Sequence, residues 1–98
     1  MTALRSDELE SIMLRLIVDE YEPQSILRLL NNRSEEYYEK TKNELRKVIS
    51  ERLWSRDDYE SMTGIEIETD RQLYEHLEEV WQYAFNNGPE PEIEKYEY

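Results

Sequence analysis

The stretch from Thr69 to Pro89 constrains this chain most, because a start signal, an unbroken helical rhythm and a stop signal follow one another in a single run. Thr69 and Gln72 stand three apart as a capping box, and Asp70 places negative charge in the first turn, where the helix dipole favours it. Leu73, Leu77, Val80, Trp81, Ala84 and Phe85 recur at helical spacing, and Asn87-Gly88-Pro89 offers a left-handed cap followed by a residue that cannot continue. On a helical wheel Glu75, Glu78, Glu79 and Gln82 project from the opposite side, giving the helix an apolar and an acidic face.

That acidic face belongs to a lopsided charge distribution. The 98 residues carry 24 acidic and 12 basic side chains, net −12. Residues 57–98 hold 13 acids and 2 bases, whereas residues 1–56 are close to balanced with 11 acids and 10 bases. Such a balance disfavours direct binding of nucleic acid or an anionic membrane and favours a basic protein partner. The length suits one domain with a modest core. The absence of cysteine removes disulfides, thiol nucleophiles and thiolate metal sites, and neither an export signal nor a spanning apolar run is present. A cytoplasmic protein is expected, in which the sequon Asn32-Arg33-Ser34 is a chance match.

Upstream, Ser6 caps a first helix over 6–21, with Leu9, Ile12, Met13, Leu16 and Ile17 as its core stripe. Leu14, Val18 and Tyr21 form a second apolar line at i, i+4, i+7, which needs a cover or serves self-association. Pro23 opens a short helix over 23–31, and Ser34 with Glu35 and Glu36 opens a third over 34–55. Trp54 falls on the far side of that helix from Leu45, so it is exposed unless the next segment folds back over it. Residues 57–68 read as a structured connector, either a helical turn stopped near Gly64 or a short extended piece at Ile65-Glu66-Ile67-Glu68. The expected fold is all-α: a compact bundle of three long helices and one short helix over 1–89, with an acidic, mobile tail over 90–98.

Chemistry-bearing patterns are sparse. His76 is the sole histidine, has no second histidine at ligand spacing and sits at the border of the apolar stripe, so no metal or other cofactor is expected. The segment from Asp57 fails as a calcium loop because Met62 stands where glycine is required. Neither a phosphate loop nor a catalytic triad is present, and the chain reads as non-enzymatic. The short helix, turn and longer helix bearing Lys40, Lys42, Arg46, Lys47, Arg52 and Arg56 outline a helix-turn-helix regulator. Glu36, Glu44 and Glu51 interrupt that face, however, and suit i, i+4 pairing within the helix.

Two readings of the acidic half remain. One is solubility. The other is a partner-binding face of Glu66, Glu68, Glu75, Glu78 and Glu79, a ridge of carboxylates mimicking nucleic-acid phosphates, with Tyr74 and Tyr83 among the tyrosines that supply uncharged anchors. On the second reading the chain inhibits or regulates a basic, nucleic-acid-handling protein. In composition it has the character of small acidic phage inhibitors and of immunity proteins that neutralise nuclease toxins, without a shared motif. The alternative is a helical adaptor or structural subunit working through Leu14, Val18 and Tyr21, and the third is the helix-turn-helix regulator.

Overall fold

The computed structural model describes residues 6–17 and 20–92. Ser6 accepts from Leu9 N–H at 3.2 Å and opens α1 (Asp7–Met13), whose Leu9, Ile12 and Met13 are fully buried. The helix is much shorter than its apolar spacing suggests. Arg15 N–H bonds Ile12 O, the chain turns, and Leu16–Ile17 (β1) pairs antiparallel with Glu20–Tyr21 (β2) in the register Leu16 to Tyr21. Leu16 and Ile17 lie three and four residues beyond Met13, so helical periodicity includes them. Ile17 and Tyr21 nonetheless favour extended backbone, and a short helix has little cooperativity to resist that preference. The line Leu14, Val18, Tyr21 is therefore not a helix face; Val18 lies outside the described residues.

Pro23 precedes α2 (Gln24–Asn31), which buries Ser25, Ile26, Leu29 and Leu30. Ser34 accepts from Tyr37 N–H at 3.1 Å and opens α3 (Glu35–Glu51). That helix stops four residues before the expected end because Arg52 adopts a left-handed conformation, φ 51°, and Leu53 N–H reaches back to Val48 O. The connector contains a real helix, α4 (Arg56–Thr63). Ser55 and Asp58 bond each other's backbone N–H groups at 3.1 and 2.8 Å in a reciprocal cap, and left-handed Gly64, φ 77°, ends it. Ile65 and Ile67 then turn inward while Glu66 and Glu68 face out, the alternation of an extended segment.

Thr69 accepts from Gln72 N–H and opens α5 (Asp70–Phe85). Only that half of the expected capping box forms, since Gln72 Oε1 makes no hydrogen bond. The architecture is thus mostly helical, with two long helices (α3, α5), three short ones and a two-stranded sheet among the described residues, in place of three long helices and one short. The long helices α3 and α5 pack together, α1 lies on α3, and α4 closes over α1 and β1. No described helix is long and apolar enough to cross a membrane.

Trp54 is buried, and the Tyr74 hydroxyl holds both its backbone groups, accepting from its N–H at 3.0 Å and donating to its carbonyl at 2.5 Å. His76, expected at the border, is fully buried between Leu73, Leu77 and Val80 on the core face. Its Nε2 lies 2.7 Å from the hydroxyl of Tyr59, which is also fully buried and whose pKa is pushed up by burial. This bond joins α4 to α5 across the core. A buried group that loses its partner retains the desolvation penalty, so Tyr59→Phe should lower unfolding free energy by about 1–3 kcal/mol. Denaturant titration checks this, and an unchanged midpoint would show that the bond contributes nothing.

Candidate functional site

The outward side of α5 is more enclosed than its sequence suggests. Glu75 is exposed, but Glu78, Glu79 and Gln82 are half-buried because α3 packs against one flank. Arg46 of α3 grips Glu78 with two bonds, Nη2 to Oε1 at 2.6 Å and Nη1 to Oε2 at 3.0 Å, and Gln82 Nε2 donates to the same carboxylate at 2.9 Å. The Arg46 guanidinium also lies 4.8 Å from the Trp81 ring centroid, and Trp81 Nε1–H donates to Lys42 O at 3.0 Å. The Arg46 hydrogen bonds hold the Glu78 carboxyl below the usual carboxylate range, and Glu78 in turn raises Arg46. Glu78 is therefore first a structural residue of the α3–α5 seam.

Beyond α5 the chain reverses and returns beside the helix as a strap, Pro89–Glu92, with Pro91 buried. Glu78, Glu79 and Gln82 on the helix and Pro89, Glu90 and Glu92 on the strap line one open groove of about 360 Å³. The first tail residues are thus docked; 93–98 lie outside the described residues. On the other side of Glu78 and Glu79, a shallower recess includes Glu75, Arg71, Arg52, Tyr74 and Ile49. There Arg71 pairs with Glu75 at 3.2 Å. Glu66 and Glu68 line a third recess with Arg56, Asp57 and Glu60.

The expected carboxylates are therefore distributed over three recesses, with Glu78 and Glu79 shared by two of them. Tyr74 is no surface anchor: it is buried, its hydroxyl serves Trp54, and the Arg52 guanidinium covers its ring at 4.9 Å. Tyr83 is half-buried, and burial and the charge of Glu90 both raise its pKa, which places it within the field of the strap. Leu14 is 55 % exposed and shares a small recess with Glu10, Ser61 and Met62. Tyr21 is half-buried and donates its hydroxyl to Pro91 O. The tail acids belong to the acidic surface that the sequence predicts, but on a mobile segment, because the tail lacks periodicity; Glu90 and Glu92 stand instead on a docked strap.

The helix-turn-helix outline exists as α2, a turn and α3, but several of its bases are engaged inside the molecule. Lys40 pairs with Glu8 at 2.9 Å, Arg46 with Glu78, and Arg56 with Asp70 at 3.1 Å. These three contacts run between elements, while Glu44, four residues along α3, adds a weaker Coulombic attraction to Lys40 of the kind the i, i+4 spacing suggests. Among the described residues no group of three or more His, Cys, Asp or Glu side chains is arranged to hold a metal ion. Neither a protein-family model, nor a curated protein, nor a solved structure matches the chain.

The Arg46–Glu78 pair has a defined pH signature. Because folding lowers the Glu78 pKa, its stabilisation is complete above the ordinary carboxylate value of about 4.3 and is lost as pH falls through the lower folded value. Glu78→Gln should cost about 0.5–1 kcal/mol at neutral pH, as befits a part-exposed bidentate pair. The variant's denaturation midpoint should also fall less steeply than the wild type's below about pH 5. Parallel acid limbs would contradict this role.

Proposed function

We propose that this chain is a non-enzymatic binding protein that inhibits or regulates a basic, nucleic-acid-handling protein through the acidic surface of α5 and its strap. One observation carries the reading: two separate segments bring Glu78 and Glu79, then Glu90 and Glu92, to a single groove, with Glu75 continuing the negative surface along the helix. Like charges around a recess with low-dielectric walls focus the field outward and steer a cationic partner. Side chains at the rim of such a surface govern association rate and salt dependence more than intrinsic affinity. Tyr83, half-buried beside Glu90, serves as the uncharged anchor.

The binding contribution is assigned to Glu75, Glu90 and Glu92, which are exposed, while Glu78 keeps the groove wall in place through Arg46. The test is retention of proteins from the native cell on the immobilised chain, with stepped salt elution and mass spectrometry of each step. A basic nucleic-acid-binding protein should be released as salt rises. Glu75→Lys, Glu90→Lys and Glu92→Lys together should reduce its retention at low salt by about tenfold or more, since like-charge contacts are strongly unfavourable. Unchanged retention by the folded triple variant would remove this surface from the function.

A further inference from the structure

The chain leaves α5 through an Asn-Gly pair held in a tight reversal. Asn87 is exposed and left-handed, φ 55°, a conformation that asparagine tolerates better than most residues with a side chain. The Gly88 N–H that follows donates to Gln82 O at 2.8 Å, a carbonyl that also accepts from Asn86 N–H at 3.0 Å. A Cβ on Gly88 would lie 2.9 Å from Gln82 Cβ and 3.0 Å from its carbonyl carbon, so glycine is what lets the backbone approach this closely. The turn aims Pro89–Glu92 back along the helix, where Pro91 is buried and the Tyr21 hydroxyl donates to its carbonyl at 2.9 Å.

The glycine that this packing requires is also a chemical liability. An asparagine side-chain amide lies within ring-closing reach of the next residue's backbone nitrogen, and a following glycine has no Cβ to shield that nitrogen. The nitrogen gives its proton to hydroxide and attacks the asparagine Cγ; the side-chain nitrogen takes a proton from water and leaves as ammonia, closing a succinimide. Water then opens the ring. Attack at the side-chain carbonyl yields aspartate, and attack at the backbone carbonyl yields isoaspartate, through which the main chain is longer by one methylene. One water is consumed and one ammonia released.

This attack requires the Gly88 nitrogen to be deprotonated and free to swing, and in the folded chain its N–H is bound to Gln82. The reaction therefore proceeds from molecules in which that bond is open, as amide hydrogen exchange does. The strap sets their number, because buried Pro91 and the Tyr21 bond hold the residues that follow Gly88. Burial, Glu90 and Glu79 all raise the Tyr21 pKa, so its hydroxyl keeps the donated proton at mildly alkaline pH, where the backbone nitrogen loses its own more readily.

We propose that Asn87 is a self-modification site, converted through a succinimide with the Gly88 nitrogen and with water as the only co-reactant, and that the docked strap gates the reaction by keeping that nitrogen bonded to Gln82. In the isoaspartyl product the added methylene displaces Gly88 from a position without spare room, so the strap is released. The new carboxylate stands two residues before Pro89, at the groove. This is a property of the chain itself and stands whether or not the groove receives a basic protein.

The test incubates the full chain at mildly alkaline pH, folded and unfolded in guanidinium chloride, and follows each asparagine by peptide mapping and mass spectrometry. Asn87 should convert in both states, more slowly in the folded chain by about tenfold or more. Asn31, Asn32, Asn43 and Asn86, each followed by a residue with a side chain, should stay intact over the same time. Tyr21→Phe removes one hydrogen bond from the strap and should speed the folded reaction by about two- to tenfold. In the isolated isoaspartyl product the Gly88 amide should exchange with deuterium about tenfold faster than in the parent. Equal rates in the folded and unfolded wild type overturn the gate, and conversion of Asn87 no faster than that of the other asparagines in the unfolded chain overturns the site. A folded Tyr21→Phe variant with the wild-type rate overturns the part played by the strap, and equal Gly88 protection in product and parent overturns its release. The comparison of folded with unfolded wild type needs no variant and decides the question should Tyr21→Phe lose its fold.

Discussion

The seam between α3 and α5 is the interaction on which the other elements depend. Trp81 lies across it, its indole N–H bonded to the Lys42 carbonyl and its ring under the Arg46 guanidinium, which grips Glu78 with its other edge. Phe85 continues the seam against Tyr38 with ring centroids 5.3 Å apart, edge to face. One arginine thus makes an ion pair and a cation–π contact at once, which a lysine, with neither a plane nor a fork, would not reproduce. Polar bonds as well as apolar burial tie α1, α4 and the α3–α4 junction to this pair of helices. Ser6 donates to Glu44 and Lys40 reaches Glu8, fixing α1; Tyr59 meets His76, fixing α4; the Tyr74 hydroxyl fixes the α3–α4 junction. Apolar burial supplies most of the driving force, and the polar bonds select which packing is adopted.

The sequence was most legible where a local rule acts alone. Ser6, Ser34 and Thr69 cap helices as their type and position indicate, and the end of α5 at Asn86 with left-handed Asn87 follows from the Asn-Gly-Pro signal. Legibility failed where two local rules conflict or where a contact is tertiary. Leu16 and Ile17 satisfy helical spacing and strand propensity together, and pairing with Glu20 and Tyr21 decided between them. Arg52 ends α3 in a conformation that its side chain does not favour, and no neighbouring residue announces it. The buried placement of His76 was partly readable, since it shares a face with Leu73, Leu77 and Val80. Its partner Tyr59, 17 residues away on another helix, was not.

The same distinction governs the candidate site. That α5 would carry carboxylates outward was plain from the wheel, but the wheel treats a helix as isolated. Once α3 packs alongside, Glu78 becomes a structural pair and Tyr74 a buried clasp, while Glu90 and Glu92, in a segment without periodicity, become groove walls. A bond between Tyr21 and Pro91 has no local signature at any window length. The interhelix Arg46–Glu78 pair holds the wall, and the exposed carboxylates face solvent around it.

The central claim is that negative potential is concentrated by the geometry of α5 and its strap and is not merely a property of net charge. The most direct measurement is an amide NMR titration of the chain with a short oligo-lysine peptide at low salt. The account predicts shift changes concentrated at residues 75–82 and 88–92. Changes of equal size at Glu35, Glu36 and Glu39, acidic residues on the exposed surface of α3, would show that the peptide follows charge wherever it lies and would contradict the account.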